Sequence, residues 1–193
     1  MQLSDTWKNI KAKFNLTDEF LDALNGTAKR VGINPADLLS VMHFESGINP
    51  RAVNKYSGAS GLIQFMPTTA KGLGTSVEAI RKMDAIEQMP LVEKYLWPYR
   101  GKMKNLADVY LAVFFPAAIG KPNSYVLKTS KLSAGLIAKQ NPVFDTNKDG
   151  TITKGEILAI VNKKAEKAGL RTTIGPIALV LVAVIGLFFL IKK

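Results

Sequence analysis

Glu45 is the residue of this chain whose type and surroundings could do chemistry. It lies in the stretch HFESGINPRAVNKYSGASGLIQFMPTTA, residues 43–70, near the end of an apolar helical pattern. Leu38, Val41 and Met42 precede it by seven, four and three residues, so they share its helical face. Burial on such a face disfavours a charged carboxylate and raises its pKa, and an acid that stays protonated near neutral pH suits general-acid catalysis. A glutamate that ends its helix and points into solvent explains the pattern equally well.

A second group of oxygen-bearing side chains follows near the C-terminus, in the sequence DTNKDGTITKGE, residues 145–156. Its spacing matches an EF-hand loop, in which carboxylates, an amide and a backbone carbonyl surround Ca²⁺. The predicted ligands are Asp145, Asn147, Asp149, the carbonyl of Thr151, and Glu156. Pro142 breaks the helix that would normally enter the loop, and no second loop is present to pair with it. We therefore expect a structural calcium site rather than a sensor, with an acidic surface loop as the alternative.

The elements that must position these groups are helices. Thr17 caps one predicted helix, and another begins with Asn34 as cap and Pro35 at its first position and ends at Gly47. Thr75 and Glu78 predict a capping box. Asp84 caps a further helix that Pro90 should kink or interrupt. Residues 47–61, rich in glycine, predict a loop with a short hairpin, so the fold is mainly α with a minor hairpin.

The C-terminal segment is apolar over the length of a membrane span. Residues 172–191 carry no charge, which predicts one C-terminal transmembrane helix. Lys163, Lys164, Lys167 and Arg171 precede this segment, and the positive-inside rule would keep the larger part of the chain on the cytoplasmic side. The first residues, MQLSDTWKNIKAKF, lack the apolar region of a secretory signal peptide.

The overall charge is strongly basic. Formal net charge is +11, from 26 Lys and Arg against 15 Asp and Glu. This balance favours contact with nucleic acid, anionic lipid or a phosphate-bearing envelope, although basic residues that only maintain solubility explain it as well. The chain has no cysteine, which excludes disulfides and thiolate zinc sites.

The residues after Glu45 carry a family resemblance. The pieces are Glu45-Ser46-Gly47, Asn49-Pro50, Gly58-Ala59, Gly61-Leu62, Gln64, Met66-Pro67 and Thr69-Ala70. At this spacing they resemble the lysozyme-like domain of the soluble lytic transglycosylases, over roughly residues 20–125.

The resemblance implies cleavage of the β-1,4 bond between N-acetylmuramic acid and N-acetylglucosamine in peptidoglycan. It implies that Glu45 acts first as acid and then as base, while the 6-hydroxyl of the sugar closes a 1,6-anhydro ring. No second carboxylate is needed, unlike in most glycosidases. Ser46 would orient Glu45, and Gln64 and Met66 would contact the glycan.

One position departs from the family pattern. The family usually carries Ala-Tyr-Asn-Ala-Gly on a later helix, where this chain reads YLAVFFPAAIG, residues 110–120. Phe114 then takes the tyrosine position at the substrate, so the hydroxyl is missing. Either Phe114 keeps only a packing role, or Tyr110 or Tyr95 supplies the contact.

These observations predict four segments. They are an N-terminal segment 1–16, a lysozyme-like transglycosylase domain 17–125, an arm 126–170 with the EF-hand-like loop 145–156, and a transmembrane anchor 171–193 with a basic tail. The expected partners are peptidoglycan strands and, through residues 172–191, a lipid membrane.

A transglycosylase without a signal peptide but with an apolar C-terminus fits the virion membrane of a bacteriophage, where it would open the cell wall locally during infection. The bacterial inner membrane is the alternative location. Other virion membrane proteins and nucleic acid are further partners that this interpretation suggests. A host-lysis endolysin (a muramidase) and a non-catalytic wall-binding or structural virion protein are the competing functions.

Overall fold

The computed structural model describes residues 5–171, and this part of the chain is mainly helical, as predicted. The helices are α1 Asp5–Phe14, α2 Asp18–Val31, α3 Pro35–Ser46, α4 Pro67–Gly72, α5 Val77–Ile80, α6 Ala85–Leu96, α7 Leu106–Phe114, α8 Ala134–Gln140 and α9 Lys154–Lys167. Short 3₁₀ turns, Trp97–Tyr99 and Pro116–Ala118, follow α6 and α7.

Helix α3 lies at the centre of the fold. Six consecutive residues, Asp37–Met42, are buried, because the middle of this helix is covered on every side rather than along one stripe. Helices α2 and α7 both pack against α3, and α6 packs against α2. The packing of α2 and α7 against α3 therefore fixes the position of its C-terminal turn, which carries Glu45.

The helix ends follow the local sequence closely. Thr17 accepts a hydrogen bond from the Phe20 N–H, Asn34 accepts one from Ala36, and Asp84 forms a capping box with Glu87, so these three predicted caps are confirmed. The capping box predicted at Thr75 is wrong. Ser76 is the cap instead, because its hydroxyl reaches the Ala79 N–H at 3.2 Å.

Helix α6 continues through Pro90, so the predicted interruption is also wrong. The ring removes one hydrogen bond near the start of the helix, while Met89, Val92 and Leu96 remain buried around it. Packing of this face against α2 compensates the loss.

The predicted hairpin is present only as isolated bridges. Val53 pairs with Ser60, and Ser60 pairs with Phe65, and no strand forms in residues 5–171. Positive φ angles at Gly58, Gly61 and Gln64 turn the backbone too often for a continuous ladder.

The segment 126–170, predicted to be an arm, packs into the same hydrophobic core as the other helices. Helix α9 lies against α7, and its buried face consists of Ile157, Val161 and Ala165. The Lys154 ammonium is 2.5 Å from the Asp108 carboxylate of α7, and both side chains are buried. This packing corrects the interpretation as an arm, because an arm would not share buried apolar and ionic contacts with the domain.

The predicted transmembrane segment 172–191 lies outside the described residues. Within residues 5–171, no helix combines the length and apolar character that crossing a membrane requires. Arg171, the last described residue, contacts the buried Asp37 of α3 at 2.8 Å.

Candidate functional site

Glu45 occupies the last turn of α3, where Gly47 ends the helix. The Gly47 N–H donates to His43 and the Ile48 N–H donates to Met42, a termination that needs the left-handed φ of +66° at Gly47. No described residue forms a hydrogen bond or an ion pair with the Glu45 carboxylate. Burial raises the pKa of Glu45 from 4.5 to about 7, and the positive charge of Lys164 opposes this rise. About half of the acid is therefore protonated at pH 7, which favours the buried acid over the solvent-exposed glutamate that the sequence left open.

Two tyrosines lie within electrostatic reach of Glu45. Burial, with smaller contributions from Tyr99 and Glu45, raises the pKa of Tyr95 to about 12. Burial and then the Glu45 charge raise the pKa of Tyr110 as well. Both phenols are consequently hydrogen-bond donors at neutral pH.

The two tyrosines differ in what their hydroxyls do. The Tyr95 hydroxyl donates to the Ala112 carbonyl at 2.9 Å, whereas the Tyr110 hydroxyl makes no hydrogen bond to any residue in 5–171. Of the two candidates that the sequence left open for the missing hydroxyl, Tyr110 therefore has its donor available.

Phe114 belongs to an aromatic cluster next to Glu45. Its ring stacks on Tyr110 at 5.6 Å and meets Phe144 at 5.3 Å, and Tyr110 also contacts Phe44, the neighbour of Glu45. This position gives Phe114 a packing role that supports Tyr110. Its predicted contact with substrate stays a prediction.

Ser46 connects α3 to the glycine-rich loop. Its hydroxyl lies 2.9 Å from the Leu62 carbonyl and 2.9 Å from the Met42 carbonyl. The residue after Glu45 thus fixes the loop against the end of α3. Its role in orienting Glu45 stays a prediction, because neither hydrogen bond is made to Glu45.

Gln64 and Met66 lie further along this loop. Gln64 has a φ of +54°, and its side-chain amide donates to the Gly61 carbonyl at 3.1 Å. Met66 is 45% exposed, so its thioether side chain is accessible to a ligand. Substrate contact by either residue is not tested by these positions and remains a prediction.

Gln88 is a positioning residue that sequence reasoning missed. It is completely buried on α6, accepts from the Leu62 N–H at 2.8 Å, and donates to the Pro50 carbonyl at 2.7 Å. Gly61 must be glycine because a Cβ there would come within 2.5 Å of the Gln88 carbonyl oxygen. A polar residue beside Met89 and Val92 on a buried helical face was the available signal.

Sequence reasoning also missed Arg81, because its hydrogen-bond partners are distant in sequence. Its guanidinium donates to the Ser60 hydroxyl at 2.9 Å and to the Gly58 carbonyl at 3.3 Å. Together, Gln88 and Arg81 hold the glycine-rich loop beside Glu45.

The loop 145–156 is closed by hydrogen bonds among its own groups. Asp145 accepts from the Asp149 and Gly150 N–H groups at 3.1 and 3.0 Å, and Glu156 accepts from Thr146 and Thr153 at 2.9 Å each. Its oxygen donors suit a hard cation such as Ca²⁺ in chemistry. In the described part of the chain, however, no three His, Cys, Asp or Glu side chains converge closely enough to hold a metal ion. The calcium site stays a prediction.

The loop also forms a backbone hydrogen bond with a segment that is not a second EF-hand loop. The Ile152 carbonyl accepts from the Leu127 N–H at 2.8 Å, and both residues are completely buried. Phe144, directly before the loop, contacts Tyr110 and Phe114. The predicted metal loop is therefore adjacent to the aromatic cluster beside Glu45.

Residues 22–92 match the family model of the Transglycosylase SLT domain. A membrane-bound lytic murein transglycosylase C of Actinobacillus pleuropneumoniae serotype 5b (strain L20) is 44% identical over 52 residues, which cover 27% of this chain and 14% of the relative. A protein of the same name from Haemophilus influenzae (strain PittGG) is 29% identical over 146 residues, covering 70% of this chain and 36% of the relative. No solved structure gives a significant match.

The chain spans between about one seventh and about one third of the length of these curated relatives. The family match includes Glu45, Ser46, Gln64 and Met66 and ends before α7, so Phe114 and Tyr110 lie beyond it. The resemblance read from the motif is thereby supported: residues 22–92 are similar to the Transglycosylase SLT domain.

Proposed function

We propose that this protein is a peptidoglycan lytic transglycosylase in which Glu45 is the only catalytic carboxylate. The observation that carries the proposal is the half-buried Glu45 without a hydrogen-bond partner, with a pKa raised to about 7, inside a segment similar to the Transglycosylase SLT domain. The names of the relatives, which include lytic murein transglycosylase, support the same substrate class.

In the first step, protonated Glu45 donates its proton to the oxygen of the β-1,4 bond. The bond between this oxygen and C1 of the muramic acid residue breaks, and the N-acetylglucosamine side leaves as an alcohol. A carboxyl group with a pKa near the working pH is suited to this transfer because a large fraction of it is protonated in the resting enzyme and it is a strong enough acid to react.

In the second step, the Glu45 carboxylate removes the proton of the 6-hydroxyl of the same sugar. The freed oxygen then bonds to C1 and closes the 1,6-anhydro ring, so Glu45 regains its starting proton. The substrate's own N-acetyl group supports the cation-like centre between the steps. This sequence needs neither an activated water nor a second carboxylate.

Tyr110 and the glycine-rich loop assist in different ways. The available Tyr110 hydroxyl can donate to the Glu45 carboxylate that forms after proton transfer, where a charge-assisted hydrogen bond is strongest. The loop, held by Gln88 and Ser46, offers backbone groups and Met66 to the sugars.

The activity is tested by incubating purified peptidoglycan with the full chain in detergent and analysing the soluble products by mass spectrometry. The proposed reaction predicts products with 1,6-anhydro ends, which are lighter by one water than products of hydrolysis. Glu45→Gln should release almost none of them, while Glu93→Gln, which changes a half-buried glutamate of α6 that is paired with Arg30, is the matched control.

Other outcomes would favour the competing functions. Reducing ends without anhydro sugars indicate a muramidase, as in a host-lysis endolysin. Binding to peptidoglycan without any release indicates a non-catalytic wall-binding protein, which the missing hydroxyl at Phe114 would then explain.

We also propose that the protein acts from a membrane, with residues 172–191 as its anchor, and that this membrane belongs to a bacteriophage virion. The term "membrane-bound" in the names of the relatives supports a membrane location. The virion assignment rests on the apolar C-terminal segment and its basic flank. In this role the enzyme would open the cell wall locally at the start of infection.

Protease protection of purified particles, followed by immunoblotting, tests this location. The proposal predicts a protein that co-purifies with intact particles and becomes protease-sensitive when lipid is extracted. A protein found only in the inner membrane of the cell supports the alternative location.

We further propose that the loop 145–156 binds Ca²⁺ through Asp145, Asn147, Asp149, Thr151 and Glu156. When bound, the ion would stiffen the loop, whose Ile152 is paired with Leu127 in the core. Chelation should lower the melting temperature by several degrees, as expected for the loss of a stabilisation of about 1–3 kcal/mol. The chemistry should remain largely intact. An unchanged melting temperature in a chelator, with Asp145→Asn as the matched variant, would refute the site.

A further inference from the structure

A groove with three lysines lies beside the end of α3. Its volume is about 420 Å³, and it is lined by Lys13, Phe14, His43, Phe44, Lys164, Lys167 and Ala168. We call these residues the lysine groove. No acidic residue lines it, so the groove combines an aromatic floor with positive charge.

The lysines of the groove have no ion-pair partner in the part of the chain that the structure describes. Lys13, Lys164 and Lys167 form no ion pair with any residue in the described range 5–171. The Lys13 ammonium donates to the Ala168 carbonyl at 2.8 Å, which uses one of its three donors. The Lys164 ammonium lies 5.9 Å from the centres of both Phe44 and Phe144, so two rings hold it in place.

His43 does not add to this charge at neutral pH. Burial and the neighbouring Lys13 lower the pKa of His43, so the imidazole is mostly neutral at pH 7. The attraction for an anion therefore comes from the ammonium groups, which can each donate hydrogen bonds to an oxygen anion.

The lysine groove lies next to the turn of α3 that carries Glu45. Phe44 lines the groove and precedes Glu45 directly in the chain. Lys164 also lines the groove and is close enough to Glu45 to lower its pKa against the effect of burial. The Glu45 carboxyl and the Lys164 ammonium, which lies at the groove beside the Phe44 ring, are therefore close enough to interact electrostatically.

We propose that the lysine groove binds the carboxylates of the peptide that branches from the muramic acid residue at the cleaved bond. This inference rests on the proposed transglycosylase function. Such peptides carry several free carboxylates on short aliphatic stems, which match ammonium groups above a floor of Phe14 and Phe44. The groove would then give the enzyme a preference for glycan strands that still carry peptides.

The test compares kcat/KM on two substrates: glycan strands that carry peptides, and the same strands after an amidase has removed the peptides. The full chain in detergent is used, with Lys167→Gln and the pair Lys164→Gln/Lys167→Gln. Lys163→Gln is the matched control, because it removes the same charge from an exposed position of α9 outside the groove.

The wild type should prefer peptide-bearing strands, and the double variant should reduce this preference by about fivefold to tenfold, the effect of losing two partly exposed charge contacts. Lys167→Gln alone should reduce it about threefold, and Lys163→Gln should leave the wild-type ratio. Equal losses on both substrates would overturn the inference, because the lysines would then act on the glycan or on Glu45 alone.

A binding experiment separates this inference from the proposed activity. Glu45→Gln protein is titrated with a soluble disaccharide that carries a tetrapeptide, and with the same disaccharide without the peptide. Tighter binding of the peptide form that is lost in the lysine double variant supports the groove even where no cleavage is observed. Binding that is the same for both compounds refutes it.

Vesicles that contain phosphatidylglycerol provide the last comparison. If the double variant loses vesicle binding and keeps the wild-type preference for peptide-bearing strands, the groove is a lipid-binding surface and the inference is wrong.

Discussion

The carboxylates of Glu45 and Asp108 are both shielded from water, but they differ in their hydrogen-bond and ionic partners. Asp108 on α7 is 1% exposed, lies 2.5 Å from the Lys154 ammonium, and accepts hydrogen bonds from the Gly120 and Lys104 N–H groups. Glu45 at the end of α3 has no such partner among the described residues, and burial raises its pKa to about 7.

This difference separates a structural acid from a reactive one. A buried carboxylate with complete partners stabilises the docking of α9 on α7 and gains nothing from changing its protonation state. A carboxylate left without partners lowers the free energy of unfolding when it is charged, which is the reason that such groups are concentrated at functional sites. The contrast predicts that substitutions at the two positions affect different properties.

The largest expected effect is the loss of activity in Glu45→Gln. Removing the general acid should lower kcat on peptidoglycan by about 10³-fold, because general-acid transfer contributes about 10²–10⁴-fold. Release of anhydro products measures it. Asp108→Asn, assayed well below its melting temperature, should lose less than about tenfold, and equal losses in the two variants would abolish the distinction.

The next largest effect concerns stability at the other acid. Lys154→Met leaves Asp108 buried without its counter-ion and should lower the free energy of unfolding by about 3–5 kcal/mol. Urea denaturation measures the change. The double variant Asp108→Leu/Lys154→Met should recover part of this loss, because it leaves no uncompensated charge. A single-variant cost below about 1 kcal/mol would show that the pair contributes little.

The third effect is a gain of stability in Glu45→Gln, relative to the parent protein, that depends on pH. The native state holds the Glu45 proton with a pKa of about 7 instead of 4.5, so the unfolding free energy of the parent falls as pH rises through this window. Glu45→Gln avoids this loss and should be more stable at pH 8 by about 2 kcal/mol, allowing for partial solvation. At pH 4 the two proteins should be equally stable. A variant that is less stable than the parent at pH 8 contradicts a desolvated acid.

The smallest effect sharpens the description of the site around Glu45. Tyr110→Phe removes an available hydroxyl and should lower kcat about tenfold, the value of one hydrogen bond to a charged group. Tyr95→Phe removes a hydroxyl that is bound to the Ala112 carbonyl, so it should cost about 1 kcal/mol of stability and less than about threefold in kcat. The reverse order would assign the catalytic hydroxyl to Tyr95.

Local sequence signals predicted the parts of the fold that depend on neighbouring residues. The caps at Thr17, Asn34 and Asp84 and the end of α3 at Gly47 depend on contacts within four residues, and all four are confirmed. The raised pKa of Glu45 followed from its position on an apolar helix. The cap at Ser76 was missed by one residue because Thr75 and Ser76 both carry a suitable hydroxyl.

Contacts between distant residues could not be read in the same way. Gln88 binds Leu62 across 26 positions, and Lys154 binds Asp108 across 46, so neither role leaves a local pattern. The sequence predicted that residues 126–170 form an arm. The spacing of Ile157, Val161 and Ala165 along one face of α9 was the signal that this segment packs against the core.

The most direct test of the central claim is a measurement of the Glu45 pKa itself. Carboxyl carbons of ¹³C-labelled glutamate in the full chain are followed by NMR from pH 3 to 9, as roughly the range in which carboxylates titrate, and Glu45→Gln identifies the signal. The proposed mechanism predicts a pKa of about 7 for Glu45, well above the other glutamates. A value near the ordinary 4.5 would contradict it, because Glu45 would then be ionised at neutral pH and could not donate the proton.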